Sequence, residues 1–281
     1  LKPAEKKRIL AARGMIFDMD GTLVLGSATG GGFKPLPGAV ALLAKLRSRG
    51  TPFRVFTNGT AKVPKLYAES LRAAGLDVND AEMMTPATSA ADWFVRRKIK
   101  RIRALGGEGL QGPLREAGLD VIGPADSADR VEAVFTGWYK EFSLADMERA
   151  CRDIWAGALA TTSSNVPFFA TAGGRSIGHS FAINAAIRSL TAKRARILGK
   201  PSRDAMGCAL RSMGLPASAG ARTIVVGDDP ALEMRLAKNS GAFGIAVTTG
   251  ILDRAALSLA DPGERPDLVL DSLEPILEVL S

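Results

Sequence analysis

Asp18-Met19-Asp20-Gly21-Thr22 sets two carboxylates two residues apart, with a glycine beside the second, at the end of the short apolar run 15–17. Carboxylates carry protons and hold hard cations, and a strand that stops at an acid suits a site on the carboxyl edge of a parallel sheet. Three further runs end in the same manner. Phe53-Arg54-Val55-Phe56 leads to Thr57-Asn58-Gly59, Arg196-Ile197-Leu198 to Gly199-Lys200-Pro201, and Thr223-Ile224-Val225-Val226 to Gly227-Asp228-Asp229-Pro230. One parallel sheet would gather all four ends, with their acids, hydroxyl and ammonium, on a single edge. Any one of these acids alone is equally a helix cap or turn former. The joint order, with glycine beside Asp20, Lys200 and Asp228, carries the reading.

The elements that must hold these groups alternate. Helical spacing of apolar residues follows the first run over 36–50 and the second over 63–74, and helices are predicted again over 203–213 and 231–240, with strands at 243–247 and 268–270. Strand-helix alternation predicts an α/β fold with a doubly wound parallel sheet. The middle of the chain keeps alternating but is heavily punctuated by glycine and proline, as in Gly106-Gly107-Glu108-Gly109. It reads as a smaller α/β module inserted into the first, giving a core over 1–85, an insert over 86–196 and the rest of the core over 197–281.

At 281 residues, with 46% apolar and 23% charged side chains, the chain is long enough for a substantial core, and its composition excludes wholesale disorder, collagen and a polytopic membrane protein. No apolar run approaches ~18 residues, so no membrane partner is expected. The amino end, 1–14, is basic without the apolar stretch of a signal peptide; a transit peptide is the alternative for such a composition. Two cysteines, Cys151 and Cys208, make no disulfide framework, and a single His179 argues against zinc, so a cytoplasmic location is expected. The formal charge of +8 and a pI near 9.7 favour acidic partners: phosphate esters, nucleic acid or an anionic surface.

The motifs resemble those of the haloacid-dehalogenase-like (HAD) hydrolases, in family order and across nearly the whole chain: Asp18-Met19-Asp20-Gly21-Thr22, Thr57 in Phe56-Thr57-Asn58-Gly59, Lys200 in Gly199-Lys200-Pro201-Ser202, and Gly227-Asp228-Asp229 with Glu233. Gly-Lys-Pro-Ser, the Val226-Gly227-Asp228 run and the late insertion are most similar to subfamily IIA, the p-nitrophenyl-phosphatase-like enzymes. The resemblance implies a Rossmann-like core with an inserted cap and Mg²⁺-dependent hydrolysis of a small phosphate monoester through an aspartyl-phosphate. It implies Asp18 as nucleophile, Asp20 as acid and base, and Asp18, Asp228 and the Asp20 carbonyl as metal ligands. Thr57, Asn58 and Gly59 would hold phosphoryl oxygens, with Lys200 supplying positive charge. Asp20 favours phosphoester chemistry over dehalogenation, whose leaving halide needs no proton. Glu233 stands where the family's fourth motif usually has Asp, and with Asp229 it is expected beside the metal ligands rather than on the metal; for Asp229, direct ligation or a helix cap are the alternatives. The resemblance also allows a homodimer. Two rivals stand beside the hydrolase: a non-catalytic protein binding phospho-ligands or nucleic acid, and a phosphotransferase to an acceptor other than water.

In the insert, Thr161-Thr162-Ser163-Ser164-Asn165 lacks the acid of the family's cap loop, so substrate choice does not carry over. Arg175 and His179 are read as surface and solvated or core residues, Gly30-Gly31-Gly32 as a flap beside the nucleophile, and Trp93, Trp138 and Trp155 as packing residues. Both cysteines are read as small buried side chains. The stretch 95–103, with six basic residues in nine, is read as a solvated face in preference to a phosphate contact; without interleaved aromatics, no specific nucleic-acid partner is expected.

Overall fold

Largely apolar runs of four or five residues, too short for helices, form the central strands. Gly14–Phe17, Phe53–Phe56 and Thr223–Gly227 are buried throughout, and Phe243–Val247 at all but its first residue, as a parallel sheet covered on both faces demands. The computed structural model of the chain describes residues 1–26, 32–171, 174–255, 257 and 260–281. It divides into two compact units, one of Leu1–Thr57, Lys65–Met84 and Pro201–Ser281, the other of Asn58–Pro64 and Thr85–Lys200.

The first unit holds a six-stranded, all-parallel sheet in the order Leu268–Leu270, Phe243–Val247, Thr223–Gly227, Gly14–Phe17, Phe53–Phe56, Met83–Met84. Side chains alternate between its faces. Met15, Phe17, Val55 and Val226 pack with the helices Ala39–Ser48, Pro64–Ala73 and Glu274–Leu280 on one side. Ile16, Phe56 and Val225 pack with Arg203–Ser212 and Arg235–Ser240 on the other. This is the doubly wound arrangement the alternation predicts. Strand order reverses between Gly14–Phe17 and Thr223–Gly227, and in such sheets the crevice outside the carboxyl ends at the reversal is where ligands bind.

The second unit carries its own five-stranded parallel sheet, ordered Arg196–Ile197, Leu159–Thr162, Ala133–Thr136, Arg101–Leu105, Asp120–Ile122. Phe94, Ile102, Leu114 and Phe135 centre one of its cores, and Val134, Cys151, Ile154 and Ile187 the other. The chain is therefore α/β in both units. The sheet assignment of 196–198 corrects the expectation of a single edge: Arg196 and Ile197 pair with Thr161 and Thr162, so Lys200 leaves the second unit's sheet. A two-residue strand has too little pattern to declare which of two parallel sheets it joins.

The basic stretch is likewise not one solvated face. Its helix end and turn expose Arg96, Arg97, Lys98 and Lys100, but Arg103 lies on a buried strand. Its guanidinium pairs with Asp153 (2.5 Å) and donates to the carbonyls of Gly123 (2.9 Å) and Asp126 (2.8 Å), so this cation is a structural clamp. Trp93 is buried, its ring covered by Arg97 and Arg196, whereas Trp155 ends its helix with its side chain exposed, contrary to the packing expectation. Cys151 and Cys208 are buried as read and form no disulfide with each other, and burial pushes the Cys151 thiol up. Among the described residues no helix is long and apolar enough to cross a membrane. The side chain of Arg175 and the glycines Gly30 and Gly31 lie outside the described residues.

Candidate active site

Three neighbouring strands of the first unit end in the groups singled out from sequence. Phe17 is level with Val226 on one side and Val55 on the other, so Asp18 stands between Asp228, just past Gly227, and Thr57, just past Phe56. With parallel strands about 4.8 Å apart, these three positions span about 10 Å along one edge. The ladder continues one residue beyond two of these strands: the Asp18 N–H donates to the Val226 carbonyl (2.9 Å) and the Thr57 N–H to the Met84 carbonyl (3.2 Å). Asp18 is half-buried, Thr57 and Asp228 are buried, and Asp20 is exposed.

A tight turn follows Asp18. The N–H groups of Leu23 and Val24 donate to the Met19 carbonyl and that of Gly21 to the Val24 carbonyl, which leaves Gly21 in the left-handed region at φ +80°. Gly21 is forced to be glycine a second time, because a Cβ there would fall on the Asp228 carboxylate. Gly250 meets the same carboxylate from the loop after Phe243–Val247. That loop also gives the Ile251 N–H to Asp228 Oδ2 (2.9 Å) and the Thr249 hydroxyl to the Gly21 carbonyl (2.5 Å). Asp228 is thus seated by backbone that only glycine permits. Gly21→Ala combines a left-handed alanine with overpacking and is expected to destabilise the protein by about 2–5 kcal/mol, read as a lowered midpoint in urea followed by circular dichroism; an unchanged midpoint would show that Asp228 moves aside freely.

Glu233 is buried on a wide turn. Pro230–Met234 forms one π-helical turn, Asp229 Oδ1 caps it by accepting from the Ala231 N–H (2.9 Å), and Glu233 reaches back to accept the Asp229 N–H (3.1 Å). The Glu233 side chain fills the space where a Cβ on Gly227 would lie. The extra methylene relative to Asp is accommodated by a missing side chain and a wider turn.

In the second unit Lys200 follows the edge strand and is almost fully buried. The Leu198 N–H donates to Thr162 (2.8 Å) and the Gly199 N–H to Ser163 (3.1 Å). At Lys200 the partner changes from strand to side chain: its N–H donates to Asn58 Oδ1 (3.0 Å) and its carbonyl accepts from Asn58 Nδ2 (3.1 Å). Nearby, Asn184 Nδ2 donates to Thr162 Oγ1 (2.5 Å), and the Ser163 and Ser180 hydroxyls are 3.0 Å apart. His179 begins the helix His179–Thr191 with its ring centroid 4.7 Å from that of Trp138.

Two family models match the chain, one described as haloacid dehalogenase-like hydrolase over 15–120 and a second, HAD-hydrolase-like, over 197–276, together more than half of the residues. The chain belongs to the haloacid dehalogenase-like hydrolases. Among its relatives, chronophin from Mus musculus is 26% identical over 282 residues, 96% of this chain and 93% of that protein. Among solved structures, p-nitrophenyl phosphatase from Archaeoglobus fulgidus is 27% identical with a TM-score of 0.82, covering 95% of this chain and 98% of the other. Glycerol phosphate phosphatase from Mycobacterium tuberculosis, solved in complex with magnesium, is 26% identical with a TM-score of 0.80, covering 97% and 77%.

Within this HAD-like hydrolase, the first-unit edge sets Asp18 and Asp228 just past the ends of adjacent strands, with Asp20 in the turn that follows Asp18. The donors are hard oxygens without sulfur or imidazole, which fits a hard divalent cation. Among the described residues no three Asp, Glu, His or Cys side chains form a set that could hold an ion. A cation here would draw on carbonyl and water oxygen besides the two carboxylates, as Mg²⁺ does and structural zinc does not. Sequence reading missed Thr249, Gly250 and Ile251, although Thr248-Thr249-Gly250 after an apolar run repeats the strand-end signal found four times elsewhere.

Proposed function

We propose that this protein is a Mg²⁺-dependent phosphomonoesterase that works through an aspartyl-phosphate on Asp18. The observation that carries the reading is the order Thr57, Asp18, Asp228 on three successive strand ends at the reversal of the sheet. The phosphatase names of the relatives and neighbours support the reaction, and the magnesium in one neighbour supports the metal. Asp18, Asp228 and the Asp20 carbonyl are the proposed ligands; Mg²⁺ bound there would offset the repulsion between two anionic reactants.

The chain's own groups then divide the work. A carboxylate oxygen of Asp18 attacks phosphorus as the ester P–O bond breaks, and Asp20 gives its proton to the leaving oxygen. Asp20, now ionised, takes a proton from the water that attacks the same phosphorus, which releases phosphate and restores Asp18. Thr57 and the main chain at Asn58 and Gly59 hold phosphoryl oxygens, and the Lys200 ammonium balances their charge. Asp229 and Glu233 support the metal-side carboxylates through the turn they brace. The second unit acts as the cap that selects a small phosphate ester.

Hydrolysis of p-nitrophenyl phosphate should be lost on chelation with EDTA and restored by Mg²⁺. With methanol present, phosphate release should still match nitrophenol release. Excess nitrophenol over phosphate would indicate transfer to the alcohol, and metal-independent turnover would remove the cation from the reading. Absence of turnover with this and with natural esters, beside tight salt-sensitive nucleic-acid binding, would favour a binding protein.

A further inference from the structure

A strand ladder works by matching each residue's N–H and C=O with a partner's. At the end of Arg196–Ile197 the ladder continues through Leu198 and Gly199 and then has no further strand residue to meet. The side chain of Asn58 takes that place. A primary amide presents one acceptor and two donors on a planar group, so it can face a single residue's N–H and C=O together, and Asn58 does so with both bonds to Lys200 near 3 Å. The neighbouring sequence makes room for the clasp. A Cβ on Gly199 would lie 2.8 Å from Asn58 Oδ1 and on the Ser163 carbonyl. The Leu198 carbonyl is meanwhile held by the Ser89 hydroxyl of the helix Pro86–Arg96. A residue 142 positions away in sequence therefore completes the backbone that carries the lysine.

We propose that the Asn58 side chain is the positioning residue for Lys200, acting on turnover through the lysine and not through contact with the phosphoryl group. The inference rests on the role given to Lys200 above. An amide held by two bonds to the main chain of Lys200 is committed to that residue. Its consequence is that Asn58 and Lys200 behave as one unit.

Two measurements test this separately. In ¹⁵N-labelled protein, Asn58→Ala should speed amide hydrogen exchange at Lys200 by about 3- to 10-fold and leave Leu198, whose N–H is bonded to Thr162, unchanged. In turnover, Asn58→Ala should lower kcat about 10- to 100-fold with little change in KM, and should lower it less than 3-fold further when added to Lys200→Ala. Equal losses in both backgrounds, or a KM effect alone, would overturn the proposal in favour of direct substrate contact. Unchanged exchange at Lys200 would overturn the clasp whatever the kinetics. A wild-type protein without turnover would overturn the reading of function and the kinetic claim together, while exchange still judges the clasp. Asn58→Ser serves both measurements if Asn58→Ala does not fold.

Discussion

Asp18→Asn is expected to lower Mg²⁺-dependent hydrolysis of p-nitrophenyl phosphate by about 10⁴- to 10⁶-fold, the range seen when a covalent nucleophile is removed from an otherwise intact site. The substitution keeps shape and volume, and the Asp18 main-chain bond to Val226 does not depend on the side chain. The central strand and its packing by Met15 and Phe17 should stay as they are. On the proposed mechanism, what is lost is the anionic oxygen that attacks phosphorus, together with one of two carboxylates on adjacent strands. Asparagine can still offer a carbonyl oxygen to a cation, so the variant should retain metal-assisted binding of orthophosphate while failing to turn over. That combination separates loss of chemistry from loss of fold. More than about 1% residual turnover in a preparation free of wild-type protein would place the nucleophile elsewhere, and Asp20 would be the next carboxylate to test.

The sequence disclosed the strands that carry this chemistry because a parallel sheet buried on both faces leaves a plain mark: a short, nearly unbroken apolar run. Met15-Ile16-Phe17 and Thr223-Ile224-Val225-Val226 are such runs, the first stopping at Asp18 and the second one glycine short of Asp228. The ends were legible for the same local reason. Pairing was not. Arg196-Ile197 carries no information about whether its partner is Thr223–Gly227 or Leu159–Thr162, since ladder bonds use backbone common to every residue, so the sequence does not disclose which sheet Lys200 leaves. The Asn58 clasp and the seating of Asp228 by Gly21 and Gly250 were hidden alike, each joining residues remote in sequence through main-chain atoms or the absence of a side chain. Arg103 shows the opposite error. Its setting among basic neighbours looked like a charged surface, but strand periodicity turns it inward to Asp153.

Asp20→Asn should separate the two halves of the reaction by leaving group. With an alkyl phosphate, the departing alkoxide needs a proton as the P–O bond breaks, and kcat should fall about 10²- to 10⁴-fold. Nitrophenolate is a stable anion and leaves without that help, so formation of the aspartyl-phosphate from p-nitrophenyl phosphate should be little affected. Its breakdown still requires a base to take the proton of the attacking water, and in the proposed mechanism that base is the same side chain. The variant should therefore release a burst of nitrophenol, about one per active site, and then turn over slowly as the phosphorylated Asp18 waits for water. Exposure suits Asp20 to this exchange of protons with solvent, in contrast to half-buried Asp18. The turn that carries Asp20 is held by main-chain bonds from Gly21, Leu23 and Val24, so replacing its carboxylate should leave Asp18 in place. Wild-type rates with both esters would remove Asp20 from proton transfer. An equal loss with both and no burst would mean instead that Asp20 is needed before the first bond breaks, as a support for the metal or for Asp18.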